Sequence, residues 1–318
     1  MPTVTTDSAK RALLEQLIDD ASLFPPAKLA MVPALRAHYR HRESAYAWLG
    51  GKFVLPASRA DEFGLARRGA TAPIELSVIL DAGALGAKGD TVRADLERVA
   101  RIRALPGVTV ASLEARLPRV TLDAAAAQRI VADVAERWPS DPVAFWYESA
   151  YDAGWATPPA EWLAVLAAAR AETPANLTLG AKVRCGGPRP GATPSVDDLA
   201  AFVTAAQEHG VPWKATAGLH HPVRGAHGVE GGVVQHGFLN LFVAAVALHA
   251  GALEAARVAE VLAEHDPRAF VVDPLHVGWR EVRVEAEAVA AAREHVVAYG
   301  SCSFDEPVND LRALGIIA

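Results

Sequence analysis

This chain is poor in lysine, cysteine and methionine, and it has neither a block of basic residues nor a long uninterrupted apolar run. Two cysteines, Cys185 and Cys302, are too few for a disulfide framework, so a cytoplasmic setting is the default expectation. A net charge of −6, a pI near 6.0 and scattered basic residues argue against a nucleic-acid partner. The most apolar stretch, 238–253, is interrupted by Asn240 and His249. It falls short of the roughly 20 apolar residues that span a bilayer, so no membrane partner is expected. The opening MPTVTTDSAKRALLEQL lacks the basic-then-apolar order of a signal peptide and reads as an amphipathic helix. No glycine-rich phosphate fingerprint follows the first strand, and GALGAKG at 83–89 fits no nucleotide-loop spacing and reads as a turn, so no cofactor is expected.

Against that background, the scarce lysines stand out. The chain takes its positive charge from 25 arginines and only six lysines, a bias that, with the abundant alanine, suits a GC-rich bacterial genome. Two of the six, Lys182 in LGAKVRCGG (179–187) and Lys214 in VPWKATAGL (211–219), lie inside apolar runs. Burying an amine disfavours its charged form, and a lysine, unlike an arginine, can then act as a nucleophile toward carbonyls. These two positions are where chemistry is expected.

Apolar, β-branched runs alternate with helical patterns along the chain. Strands are expected near 17–24, 52–57, 74–81, 108–114, 143–148, 178–184, 211–217 and 296–301, and helices at 90–104, 121–137, 159–171 and 195–209. The last helix has Ser195 as its cap and Asp198 three residues on. Eight strands with helical crossovers predict an α/β fold, a (β/α)8 TIM barrel in a single domain over 1–318. The alternative is a doubly wound open sheet. Between Gly218 and the last strand lies an insertion far longer than an ordinary crossover. It carries His220, His221 and His227, helix patterns near 233–250 and 252–264, and a segment 268–283. The part 219–283 is expected near the barrel mouth, bringing His220 or His221 toward the lysines; a homo-oligomer contact is the other use open to it.

Laid out this way, the chain resembles the deoxyribose-phosphate aldolase family of class I aldolases. The residues that carry the likeness keep their order: Ile18-Asp19-Asp20-Ala21 on the first strand, Glu148-Ser149 ending the fifth, and Lys182-Val183-Arg184-Cys185-Gly186 at the Schiff-base position. Lys214-Ala215-Thr216-Ala217-Gly218 follows at the second-lysine position, and Gly300-Ser301-Cys302-Ser303 at the phosphate loop. The chain departs from the family in placing Arg184 where a small hydroxyl residue stands, Leu219-His220-His221-Pro222 where a glycine-rich turn follows the second lysine, and an insertion without family counterpart. The family's fourth-strand aspartate has no clean match; Glu114 is the nearest acid. The resemblance implies Schiff-base carbon–carbon chemistry on a small carbonyl compound, with Lys182 as nucleophile. Arg184 turns the expected substrate from a sugar phosphate toward an acidic carbonyl compound, which a guanidinium holds by a forked contact.

On a strand, residues two apart share a face, so Lys182 with Arg184, and Lys214 with Thr216, should point inward. Two neighbouring cations would depress one amine, giving a neutral nucleophile. Glu148, Glu114 and Asp19 are the acid/base candidates, and each reads equally as a charge partner for the lysines. Gly186, Gly187, Gly218, Gly300 and Ser301 can offer backbone N–H groups to a substrate anion, or serve as ordinary turns. His220 and His221 follow a strand end but lack a standard ligand spacing, so no metal is expected there and substrate contact is the preferred role. The cysteines and the set Trp146, Tyr147, Trp155 and Trp213 read as packing. Two other classes stay open: a metal-dependent barrel hydrolase or isomerase using His220 and His221, and a non-catalytic barrel binding a small anion.

Overall fold

A computed structural model of the chain describes residues 8–81, 90–116, 132, 135–136, 141–187, 191–227 and 234–318. The barrel strands are β1 (Ile18–Asp20), β2 (Gly50–Pro56), β3 (Ile74–Leu80), β4 (Val108–Arg116), β5 (Val143–Glu148), β6 (Leu177–Arg184) and β7 (Trp213–Thr216). The insertion adds the short β8 (Gly225–Ala226) and β9 (Val234–Gln235), then β10 (Phe270–Val272), β11 (His276–Trp279) and β12 (Val282–Glu285); β13 (Val296–Ser301) returns to the barrel. The eight barrel strands close in the order β1-β13-β7-β6-β5-β4-β3-β2, all parallel, and helices ring them: a (β/α)8 barrel. The described helices are α1 (Ala9–Leu14), α2 (Met31–Arg42), α3 (Ala60–Ala66), α4 (Asp90–Arg103), α5 (Pro159–Ala171), α6 (Val196–Glu208), α7 (Phe238–His249), α8 (Val258–Ala263), α9 (Ala286–Arg293) and α10 (Asp305–Ala313). The helix expected at 121–137 and the turn expected at 83–89 lie outside the described residues.

Alternation decides the two faces of each strand. Phe145, Tyr147, Ala181, Val183, Trp213 and Ala215 join the core between sheet and helices, where Trp213 meets Phe202 edge-on and Phe202 stacks on Trp162. A fully buried valine or phenylalanine here contributes about 1.5–3 kcal/mol. Their neighbours on the other face, Trp146, Glu148, Lys182, Arg184 and Lys214, turn into the barrel. The α6 start forms a complete capping box: Ser195 Oγ accepts from the Asp198 N–H, and the Asp198 carboxylate accepts from the Ser195 N–H.

The first strand is shorter than its apolar run. Asp20 Oδ1 accepts the Ser22 N–H, turning the chain at once, and Pro25 and Pro26 carry no donor for a ladder. The segment 268–283, unassigned from sequence, forms an antiparallel sheet in the order β10-β11-β12. This sheet packs on α7, α9 and α1. Its turn carbonyls Pro274 O and Asp273 O accept the Ala9 and Lys10 N–H groups, satisfying the open N-terminus of α1. Since α1 ends three residues before β1, the small sheet lies along the flank and N-terminal side of the barrel. Most of the insertion expected at the mouth therefore sits elsewhere; only the stretch that directly follows β7 stays at the strands' C-terminal ends. The same packing explains why α7 is apolar all round: Phe238 to Ala247 are all buried, with barrel on one side and sheet on the other. No helix among the described residues is long and apolar enough to cross a membrane.

Candidate active site

Strand register places the site. Glu148 lies opposite Lys182, and Lys182 opposite Lys214, so the three occupy one level of adjoining strands. One level deeper, Trp146 lies opposite Gly180, where any Cβ would fall 2.3 Å from the indole ring. Glycine at 180 lets the indole lie across the barrel as an apolar floor beneath the charges. Glu114 reaches in from β4 and Asp19 from β1.

These side chains form one continuous ionic chain. Lys214 Nζ is 2.6 Å from Asp19 Oδ2 and 2.7 Å from Glu114 Oε1; Lys182 Nζ is 2.6 Å from Glu114 Oε2 and 2.8 Å from Glu148 Oε2. Arg184 Nε then donates to Glu148 Oε1 at 2.9 Å. Three carboxylates thus face three cations. The balance is what makes burial tolerable, because each unpaired ion would cost several kcal/mol in the interior. The lone pairs left over are also used. Ser77 Oγ, itself joined to Ser112 Oγ at 2.6 Å, donates to Glu114 Oε1 at 2.6 Å, and the Lys52 N–H donates to Asp19 Oδ1 at 2.7 Å. Gly51 makes room for that carboxylate, since a Cβ there would lie 2.4 Å from Asp19 Oδ1.

Burial alone would raise the carboxyl pKa values, yet the cations outweigh it. Lys182 and Lys214 hold Glu114 well below the carboxylate range, and Lys182 and Arg184 bring Glu148 down to about 2. Burial opposes the charge on Lys214, but Asp19 and Glu114 outweigh it and push that amine above its ordinary value. The two lysines therefore do not face each other as bare cations: the Glu114 carboxylate stands between them. The ladder leads outward through Glu148: the lysine side chains are 3–4% exposed, Arg184 is a quarter exposed, and Arg116 at the end of β4 is two-thirds exposed, 3.9 Å from Glu148 Oε1.

The other expected site residues divide. Gly186 and Gly218 touch backbone to backbone: a Cβ on either would fall 2.6–2.7 Å from the other's Cα, and Gly218 has φ +72. Their glycine identity is explained by loop packing rather than by an anion. A Cβ on Gly187 would meet Ala192, while Gly300 has room for one. Ser301 donates to Ser303 O at 2.6 Å and so shapes the entry to α10. His220 and His221 do not turn toward the lysines. Their Nδ1 atoms pair with Glu306 Oε2 at 3.2 Å and Asp310 Oδ2 at 2.6 Å on α10, and His221 stacks on His227 at 3.6 Å. Acids one helical turn apart on α10 capture the loop before it can reach inward. No group of three or more His, Cys, Asp or Glu side chains suited to a metal occurs among the described residues. Burial raises the Cys185 thiol to about 12, which keeps it protonated.

Ser77, Ser112 and Arg116 enter the site without having been singled out from sequence. Arg116 follows Glu114 by two residues, the same spacing that places Arg184 with Lys182, so strand alternation carries the signal for it. The serines have no such signal, since a hydroxyl in a strand is commonplace. Comparison of the chain with family models, with curated proteins and with solved structures returns no match.

Proposed function

We propose that this barrel is a Schiff-base lyase of the class I aldolase type, acting on a small anionic carbonyl compound through Lys182. The observation that carries the reading is the placement of Lys182 between two carboxylates, at the last buried step before the exposed arginines. An amine there has an acid/base partner on each side, Glu148 toward the mouth and Glu114 toward the interior. Lys214 is the weaker choice of nucleophile, being deeper in the chain of charges and held protonated by Asp19 and Glu114. In this mechanism the neutral Lys182 amine attacks the carbonyl, and a proton delivered by Glu148 lets the carbinolamine hydroxyl leave as water. The resulting iminium draws electrons from the bond that breaks, and Glu114, anchored by Ser77 and Lys214, stabilises its charge.

A second reading draws on the same ion pairs: a non-catalytic barrel whose lysines are fixed charges holding the interior together. Borohydride reduction in the presence of pyruvate, glyoxylate and acetaldehyde separates the two. A Schiff-base enzyme gains a stable mass adduct on the peptide that contains Lys182, and Lys182→Ala loses it entirely. Lys214→Ala keeps the adduct but forms it more slowly and at higher pH, since Glu114 then has Lys182 as its remaining lysine partner. No adduct with any of the three carbonyl compounds, or an undiminished one in Lys182→Ala, removes Lys182 as nucleophile.

A further inference from the structure

The resting site poses a chemical problem: a lysine clasped by two ionised carboxylates carries no free electron pair. We propose that the negative charge of the substrate itself releases the amine, by engaging Arg116 and Arg184, withdrawing them from Glu148 and so driving the Lys182 proton onto Glu148. This inference rests on the Schiff-base reading above and adds to it how the site is switched on and which substrates can do so.

The geometry supports it link by link. Glu148 is the joint between the buried and exposed halves of the network: Oε2 faces Lys182 at 2.8 Å, while Oε1 faces Arg184 at 2.9 Å and Arg116 at 3.9 Å. The two guanidinium groups rise from the ends of β6 and β4, either side of the strand that ends in Glu148. They are the exposed members of the chain of charges, so an incoming anion meets them first. A forked carboxylate or phosphate contact on Arg184 competes directly for the hydrogens that Glu148 now accepts. Losing those partners and gaining a nearby negative charge both raise the affinity of Glu148 for a proton. The nearest donor is Lys182.

The remaining charges tolerate the transfer. Once Lys182 is neutral, Glu114 keeps Lys214 at 2.7 Å and the Ser77 hydroxyl at 2.6 Å, and Asp19 keeps Lys214 and the Lys52 N–H. The proton balance closes as well. Glu148 gains the proton that Lys182 loses, and returns it when the carbinolamine hydroxyl departs as water, leaving a carboxylate beside a cationic iminium. The salt bridges then act as a safety catch: neutral aldehydes that wander into the mouth meet an unreactive ammonium.

The test compares pyruvate with pyruvamide, the same ketone with and without the charge, in borohydride trapping followed by peptide mass mapping. In the parent protein, pyruvate labels Lys182 at least tenfold faster than pyruvamide near pH 7, and pyruvamide approaches it only in alkaline solution. In Arg116→Gln/Arg184→Gln, Glu148 has already lost those partners, so pyruvamide labelling near pH 7 rises toward that of pyruvate and the preference collapses; Arg116→Gln alone, at an exposed position, gives a partial loss of the preference. Equal labelling of Lys182 by both compounds in the parent, or a pyruvate preference that survives the double substitution, overturns the gate while leaving Schiff-base chemistry standing. Absence of labelling by either compound at any pH overturns the Schiff-base reading and the gate with it.

Discussion

At the scale of single residues, the network ties stability to pH in a direction that can be worked out. Glu148 titrates near 2 in the folded protein against an ordinary 4.5, so folding favours its ionised form. Its contribution is fully present above about pH 4.5 and is lost as pH falls toward 2; a shift of this size corresponds to on the order of 3 kcal/mol. Glu114 moves in the same sense. Lys214 has the opposite sign: its contribution is complete below its ordinary value of 10.5 and is lost only as pH climbs past that into strong alkali. Urea unfolding at pH 7, 4.5 and 3 should show stability falling steeply with acid. In Glu148→Gln the slope should drop by up to about 1.4 kcal/mol per pH unit, one proton's worth. A parallel pH profile for parent and variant would mean that Glu148 is not held ionised by its neighbours. Lys214→Met takes from Asp19 the ammonium it contacts and leaves Glu114 with Lys182 alone, and should cost about 3–5 kcal/mol at pH 7.

At the scale of elements, what was legible in the sequence was what depends on local pattern. The α5 boundaries, the Ser195 cap of α6 and the last barrel strand are set by periodicity and capping, which neighbouring residues determine. The two inward lysines follow from strand alternation alone. Asp19, Glu114 and Glu148 could be named as partners, but not as one connected chain, because their pairing crosses the barrel between strands up to 195 positions apart in sequence. The carboxylate between the lysines is hidden from the sequence for the same reason: alternation shows two inward cations, and the place of Glu114 between them is a matter of tertiary geometry. The histidine loop shows the same limit, since its acids on α10 lie 86 and 89 residues further on. Within α7 the polar Asn240 that interrupts the apolar run has a definite use. Its amide donates to Val261 O and Glu264 O and its oxygen accepts the Arg224 N–H, fastening α8 and the mouth loop to one helix. Asn240→Leu would strand the buried Val261 O, at a cost of about 1–3 kcal/mol, together with the half-buried Glu264 O and Arg224 N–H. Thermal melts should place it well below Ser195→Ala, whose lost cap costs about 1 kcal/mol.

At the scale of the whole molecule, the chemistry and the fold's staple occupy opposite ends. The ionic chain opens toward the C-terminal mouth, while α1, α9 and the sheet β10-β11-β12 bind the first residues of the chain to its later part beside the N-terminal face. Leu13 and Leu14 are fully buried there, and Arg293, half-buried in the same region, donates to Glu15 O across the start of the barrel. Burial lowers the Arg293 guanidinium to about 10, with the charges of Asp19 and Glu15 opposing the fall, so it stays charged at neutral pH. This separation makes a clean prediction. Leu13→Ala leaves a cavity in the staple and should lower stability by about 2–5 kcal/mol. It touches no member of the chain from Asp19 to Arg184, so at temperatures where the variant is folded, pyruvate labelling of Lys182 should keep the parent's rate and pH profile. A variant that unfolds earlier but labels normally when folded shows that the staple supports the barrel without tuning the mouth. A variant that is folded, by near-ultraviolet circular dichroism, yet labels slowly or at a shifted pH shows that strain at the N-terminal face reaches the ion pairs through β1, whose Asp19 is the one network residue carried by the strand that α1 leads into.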